Sequence, residues 1–179
     1  MTPAPLRLLV SVLAAALMFT AALPANDTPR QLEWDDLMPP DWDPLAQLKE
    51  LKSGSGNAIE DGSAEADAVM RRFVTAGRSA PVVPALDGEH VKIPGFVVPL
   101  DFEGKSLSEF LLVPYFGACI HVPPPPANQV VYVKTATSHK LGELYDPVWV
   151  TGTLRTQAHL NEVGDAGYTL DAVAIEPYK

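Results

Sequence analysis

Cys119, the single cysteine among 179 residues, lies two positions before His121, and four consecutive prolines, Pro123 to Pro126, follow this pair. Alternate side chains of an extended chain point to the same side, so the thiol and the imidazole are predicted to share one face. A polyproline segment has little conformational freedom to lose, so the prolines are expected to hold the pair in position. The spacing therefore indicates a small chemical site.

A metal site is one interpretation, because thiolate and imidazole together suit zinc or copper(I). Zinc needs at least three protein ligands, so the sequence predicts further donors from distant parts of the chain. The candidate donors are histidines and carboxylates: His90, His139, His159, Asp101, Glu103, Glu109, Asp171 and Glu176.

Two other interpretations compete with zinc. In a metal-free interaction module, Cys119 is a small buried hydrophobe and the proline loop lines a surface shared with a partner. Asn128 and Gln129 then satisfy backbone groups. In a thiol-dependent enzyme, His121 generates the thiolate, but there is no second cysteine for redox work. An enzyme is the least favoured of the three.

Aromatic residues surround the same segment. Four tyrosines and phenylalanines are candidates for an aromatic surface near the motif, with core packing as the alternative: Tyr115, Phe116, Tyr168 and Tyr178. Tyr132 and Trp149 lie in alternating β-branched runs and are predicted to point into the core.

The amino terminus predicts the compartment. Residues 1–25 combine a basic residue, Arg7, with an apolar run and a small-residue exit, which is typical of a cleaved signal peptide, with a retained anchor as the alternative. We therefore expect a periplasmic protein that is not embedded in the membrane after cleavage. The net charge of −9 disfavours nucleic acid as a partner, because an acidic surface repels phosphates.

Residues 26–84 are predicted to form an arm and a helical extension. Trp34 and Trp42 are expected to anchor the proline-rich arm on the parent domain. Helices are predicted at Leu45–Lys52 and at Ala64–Ala76, the second capped by Ser63 and ending before Gly77, with a linker between them.

Residues 85–179 are predicted to form a mainly β domain. Short β-branched runs separated by Gly and Pro indicate five strands, at His90–Leu100, Phe110–Phe116, Gln129–Ala136, Pro147–Thr156 and Tyr168–Tyr178. Because no helices alternate with them, the pattern favours a small five-stranded barrel of the oligonucleotide/oligosaccharide-binding (OB) type. Gly95 and Gly152 are predicted to lie at bends.

The block "YFGACIHVPPPPANQ", with flanking segments from Leu86 to Tyr178, resembles the bacterial family known as domain of unknown function 3299. The resemblance implies an exported protein with a β-barrel-like domain, encoded beside MacB-like envelope transport systems, some of them linked to zinc supply. It implies an accessory role in transport or metal homeostasis, with an envelope transporter component or another periplasmic protein as partner. Asp101, Glu109 and Glu176 lie within the family-like blocks and are therefore preferred as additional zinc ligands. Pro123, Pro124, Pro125, Pro126, Asn128 and Gln129 are the predicted partner-binding residues.

Overall fold

The computed structural model describes residues 28–43, 60, 62–100, 106–118, 125–140 and 147–178. The predicted signal peptide (1–25) and the predicted helix at Leu45–Lys52 lie outside these residues. No helix in the described part of the chain is long and apolar enough to cross a membrane.

The described chain forms six strands and one α-helix. In chain order these are β1 (Arg30–Gln31), α1 (Ala64–Arg78), β2 (His90–Pro99), β3 (Ser106–Val113), β4 (Val131–Lys140), β5 (Val148–Arg155) and β6 (Tyr168–Pro177). The strands are arranged in the order β1-β2-β3-β4-β6-β5, and β5 pairs back with β2. Strands β2 to β6 therefore close into a five-stranded barrel, which confirms the predicted mainly β, OB-like fold.

The barrel closes through two kinds of pairing. β4 and β6 are parallel, whereas the other pairs within the barrel are antiparallel. The β5–β6 register shifts between Thr151 and Gly152. A Cβ at Gly152 would lie 2.2 Å from the Asp171 carbonyl oxygen, so the two strands approach closely only because this residue is glycine.

The main core fills the barrel. Val97, Leu112 and Val131 are buried. Ile175 is only partly buried against the core, and Trp149 is partly buried at the surface, where its ring stacks on Tyr178 with centroids 5.2 Å apart. The prediction that Trp149 points into the core was therefore wrong.

The arm packs on the barrel, as predicted. β1 pairs in parallel with β2, and a single 3-10 turn, Trp34–Leu37, follows it. The Trp34 indole donates a hydrogen bond to the Pro94 carbonyl oxygen at 2.8 Å, and Leu37 is fully buried. The pairing of β1 with β2 adds a short edge strand to the five predicted strands.

Helix α1 lies on the outside of the barrel. Ser63 caps it by accepting a hydrogen bond from the Ala66 N–H at 3.0 Å, as its position predicted. The helix continues through Gly77 to Arg78, two residues beyond the predicted end. No residue of α1 is fully buried, so the helix is only partly covered.

Candidate functional site

The motif joins β3 to β4. After β3 the chain turns at Gly117, which has a positive φ of 80°, a conformation that glycine adopts without steric cost. The next residue, Ala118, is fully buried in a second hydrophobic cluster together with Tyr132 and Ala166. Cys119, His121, Pro123 and Pro124 lie outside the described residues. The chain thus enters the motif from a buried position in the cluster that contains Tyr132.

The proline segment ends against α1. Pro125 is buried and Pro126 is partly buried. A Cβ at Gly77 would lie 3.4 Å from the Pro126 Cα, so the helix and the proline segment are close neighbours. Arg78, at the end of the helix, pairs with Asp165 at 3.3 Å. The end of the proline segment therefore lies beside α1.

The residues after the prolines form internal hydrogen bonds. The fully buried Asn128 donates through Nδ2 to the Pro81 carbonyl oxygen at 2.9 Å, while its Oδ1 has no partner among the described residues. Gln129 donates through Nε2 to the Trp34 carbonyl oxygen at 2.8 Å. These contacts support an internal role for both amides, whereas partner binding by Pro123 to Pro126 stays a prediction.

The carboxylates proposed as additional zinc ligands lie in different environments. Asp101 lies outside the described residues. Glu176, on β6, forms an ion pair of 2.8 Å with Lys92 on β2. Glu109, on β3, is the diagonal neighbour of Tyr132 across the β3–β4 ladder and hydrogen-bonds to its phenol. Of the two carboxylates that the structure describes, Glu109 contacts Tyr132, a member of the cluster that contains Ala118.

Tyr132 has surroundings that the sequence did not predict. Its side chain is buried; burial first, then the hydrogen bond with Glu109 and the Glu109 charge raise its pKa to about 12. The imidazole of His159 stacks on its ring with centroids 3.6 Å apart. No local pattern predicts this grouping, because it joins β3, β4 and the β5–β6 connection.

These groups do not make a metal site by themselves. The described residues contain no cluster of three or more histidine, cysteine, aspartate or glutamate side chains that could hold an ion. Zinc binding by Cys119 and His121 therefore stays a prediction, with Glu109 as a candidate carboxylate among the described residues.

The aromatic residues divide between core and surface. Tyr168 is fully buried, whereas Tyr115, Phe116 and Tyr178 are 46%, 56% and 49% exposed. Phe116 contacts Phe96 edge-on, with ring centroids 6.2 Å apart. An aromatic surface next to the motif is therefore present, without Tyr168.

A groove of about 260 Å³ continues this surface. We call it the aromatic groove; it is lined by Trp34, Pro94, Gly95, Phe96, Pro114, Pro147 and Tyr178. Its walls come from the arm, β2, the residue after β3 and the two ends of the β5–β6 hairpin. The Tyr178 N–H donates to the Pro147 carbonyl oxygen at 3.0 Å, which holds the last two walls together.

Comparison with known proteins finds a matching family and a similar solved structure. A family model described as "Protein of unknown function (DUF3299)" matches residues 34–177. The crystal structure of a DUF3299 family protein from Pseudomonas aeruginosa PAO1 is similar, with 39% sequence identity and a TM-score of 0.66, over 85% of this chain and 97% of that chain. No curated protein matches the chain. The family match spans α1 and all five barrel strands.

Proposed function

The chain belongs to the DUF3299 family, and from this premise we propose that it is an exported accessory protein that docks onto a component of an envelope transport system. The observation that carries the proposal is the exposed aromatic surface beside the motif. Tyr115 and Phe116 are about half exposed and immediately precede the segment from Gly117 to Pro126.

Exposing large aromatic rings to water costs free energy. Contiguous exposed apolar surface is uncommon on monomeric proteins and marks interaction sites, and aromatic residues are enriched at the centres of protein interfaces. Phe116 is held by an edge contact with Phe96 on β2. The barrel thus supports a preformed surface, which lowers the entropy lost on association.

Site-specific photo-crosslinking in living cells tests this function. A photoreactive amino acid at position Phe116 should yield one major adduct, which mass spectrometry should identify as an envelope transport subunit. The control is the same amino acid at position Val173, which is 74% exposed on β6. Absence of an adduct at Phe116, or an identical adduct from both positions, would contradict docking through this surface.

A second candidate function is zinc binding by Cys119 and His121, in a metal-homeostasis role. The observation in its favour is the position of Glu109, which contacts Tyr132 in the buried cluster that contains Ala118, the residue before Cys119. Thiolate, imidazole and carboxylate are all common zinc ligands. Bound zinc would be held by these three side chains, and the thiol must lose its proton for this to occur.

Metal analysis and calorimetry test the zinc site. Zinc binding should be lost in Cys119→Ser, weaken in Glu109→Gln, and weaken in the wild type as the pH falls. Glu176→Gln is the matched control, because Glu176 already pairs with Lys92, and it should bind zinc like the wild type. Equal zinc binding by the wild type and Cys119→Ser would rule this site out.

A further inference from the structure

We propose that the aromatic groove binds an extended, proline-rich peptide segment that carries a basic residue next to its prolines. This inference rests on the proposed docking function and specifies the chemistry of the partner. The groove is a second contact region, joined to Phe116 through Phe96, which contacts Phe116 and also lines the groove.

The lining of the groove determines how it can recognise a ligand. Three aromatic residues (Trp34, Phe96 and Tyr178) and three prolines form its walls, with no charged side chain among them. The Trp34 indole N–H is already used by the Pro94 carbonyl oxygen. The groove therefore offers ring faces more than hydrogen-bond donors, which suits the proline rings of a polyproline segment.

The size of the groove favours peptide side chains over a whole small molecule. Its volume of about 260 Å³ is below the range of roughly 300–1,000 Å³ found for small-molecule sites. A polyproline segment also loses little conformational entropy when it binds. The groove walls are held in place by the Trp34–Pro94 and Tyr178–Pro147 hydrogen bonds, so little ordering is required on either side.

The charge around the groove determines which charge a residue next to the prolines of the ligand should carry. Glu33, Asp35 and Asp36, on the turn that presents Trp34, are all exposed. Within the described part of the chain, none of the three forms an ion pair with a basic side chain. Lys92, near Trp149, is already paired with Glu176. A lysine or arginine beside the prolines of the ligand would therefore find complementary charge at the Trp34 end of the groove.

Fluorescence anisotropy with labelled decapeptides tests the inference, using residues 26–179 of the protein. The first peptide carries four consecutive prolines and two lysines. The second replaces the lysines with glutamates, and the third replaces the prolines with serines. The first should bind saturably and lose affinity as salt is added, and the other two should bind at least about tenfold more weakly.

Two variants connect binding to the groove. Tyr178→Ala should weaken the lysine–proline peptide by about tenfold or more, as is typical when an aromatic anchor is removed, and Val173→Ala is its exposed control. Asp35→Asn should weaken binding of the lysine–proline peptide but not of the glutamate peptide. Glu89→Gln, which changes an exposed carboxylate before β2, is its control. Circular dichroism verifies that each variant is folded.

Three results would overturn the inference. They are equal affinity for the proline and serine peptides, unchanged affinity in Tyr178→Ala, and concentration-dependent self-association that Tyr178→Ala abolishes while no peptide binds. The last result would assign the groove to a second copy of this chain. If the peptides fail while crosslinking at Phe116 still identifies a transport subunit, the inference is wrong but the proposed docking function stands.

Discussion

The imidazole ring of His159 lies flat on the phenol ring of Tyr132, with centroids 3.6 Å apart and planes inclined by 7°. His159 is fixed by paired backbone hydrogen bonds with Ala166, both 2.9 Å long. The stack therefore covers Tyr132 with the β5–β6 connection, while Glu109 on β3 contacts its hydroxyl. Three separate parts of the chain thus create the environment of one phenol.

The environment of Tyr132 can be measured by ultraviolet titration. In Glu109→Gln the pKa of Tyr132 should fall from about 12 toward the usual tyrosine value of about 10. Burial, the largest cause, remains, but the carboxylate that accepts the hydrogen bond and repels the phenolate is gone. Tyrosinate absorbance is measured as a function of pH. The same titration of Tyr132→Phe shows which part of the absorbance change belongs to Tyr132. An unchanged curve would show that Glu109 does not act on the phenol.

The same pKa predicts a loss of stability in alkali. The unfolded chain releases the Tyr132 proton near pH 10, whereas the folded chain keeps it up to about pH 12. The contribution to the free energy of unfolding is therefore complete below pH 10 and is lost as the pH rises from about 10 to 12. Burial also raises the pKa of Tyr168, which adds to the loss.

Urea unfolding at pH 8 and pH 11 measures this loss. Tyr132→Phe cannot ionise, so its free energy of unfolding should decrease less between the two pH values than that of the wild type. Part of the decrease should remain because Tyr168 is still present. An identical decrease in both proteins would show that the Tyr132 proton is not linked to folding.

Gly152→Ala should destabilise the barrel by about 1–3 kcal/mol or more, since overpacking has costs of that size. Its Cβ would approach the Asp171 carbonyl oxygen to 2.2 Å and the Ala172 Cα to 2.8 Å, and both atoms belong to the backbone. The matched control is Gly77→Ala inside α1, where the nearest atom would be 3.4 Å away. The control should be neutral or more stable by up to about 1 kcal/mol. Equal stability of Gly152→Ala and the wild type, by urea unfolding, would contradict the close strand approach.

Tyr168→Phe should lower the free energy of unfolding by about 1–3 kcal/mol. The hydroxyl of this fully buried residue donates to the Leu37 carbonyl oxygen at 2.8 Å and accepts from the Val83 N–H at 2.7 Å. Its removal leaves the buried Leu37 carbonyl oxygen and the partly buried Val83 N–H without this partner. Tyr178→Phe, about half exposed, is the control and should change stability by less than about 0.5 kcal/mol. If both variants unfold alike, Tyr168 does not hold the arm to the barrel.

The sequence alone determined the elements of the barrel domain. All five strands form where β-branched runs between Gly and Pro predicted them, because alternation and turn residues act locally. The strand ends differ from the predicted ones. β3 begins at Ser106 and ends at Val113, four residues before the predicted start and three before the predicted end. The following Pro114 lacks the N–H that the ladder would need.

Tertiary structure alone decided which side chains meet. Trp34 bonds to Pro94 sixty residues away, and Glu109 meets Tyr132 through the β3–β4 register. Trp149 was predicted in the core, yet it shares the outer face of β5 with Thr151 and Thr153 and stacks on Tyr178. Closure brings together strands that are distant in sequence, and no local pattern records which face of each strand then meets which neighbour. For that physical reason the motif was visible in the sequence, whereas the aromatic groove beside it required the folded barrel.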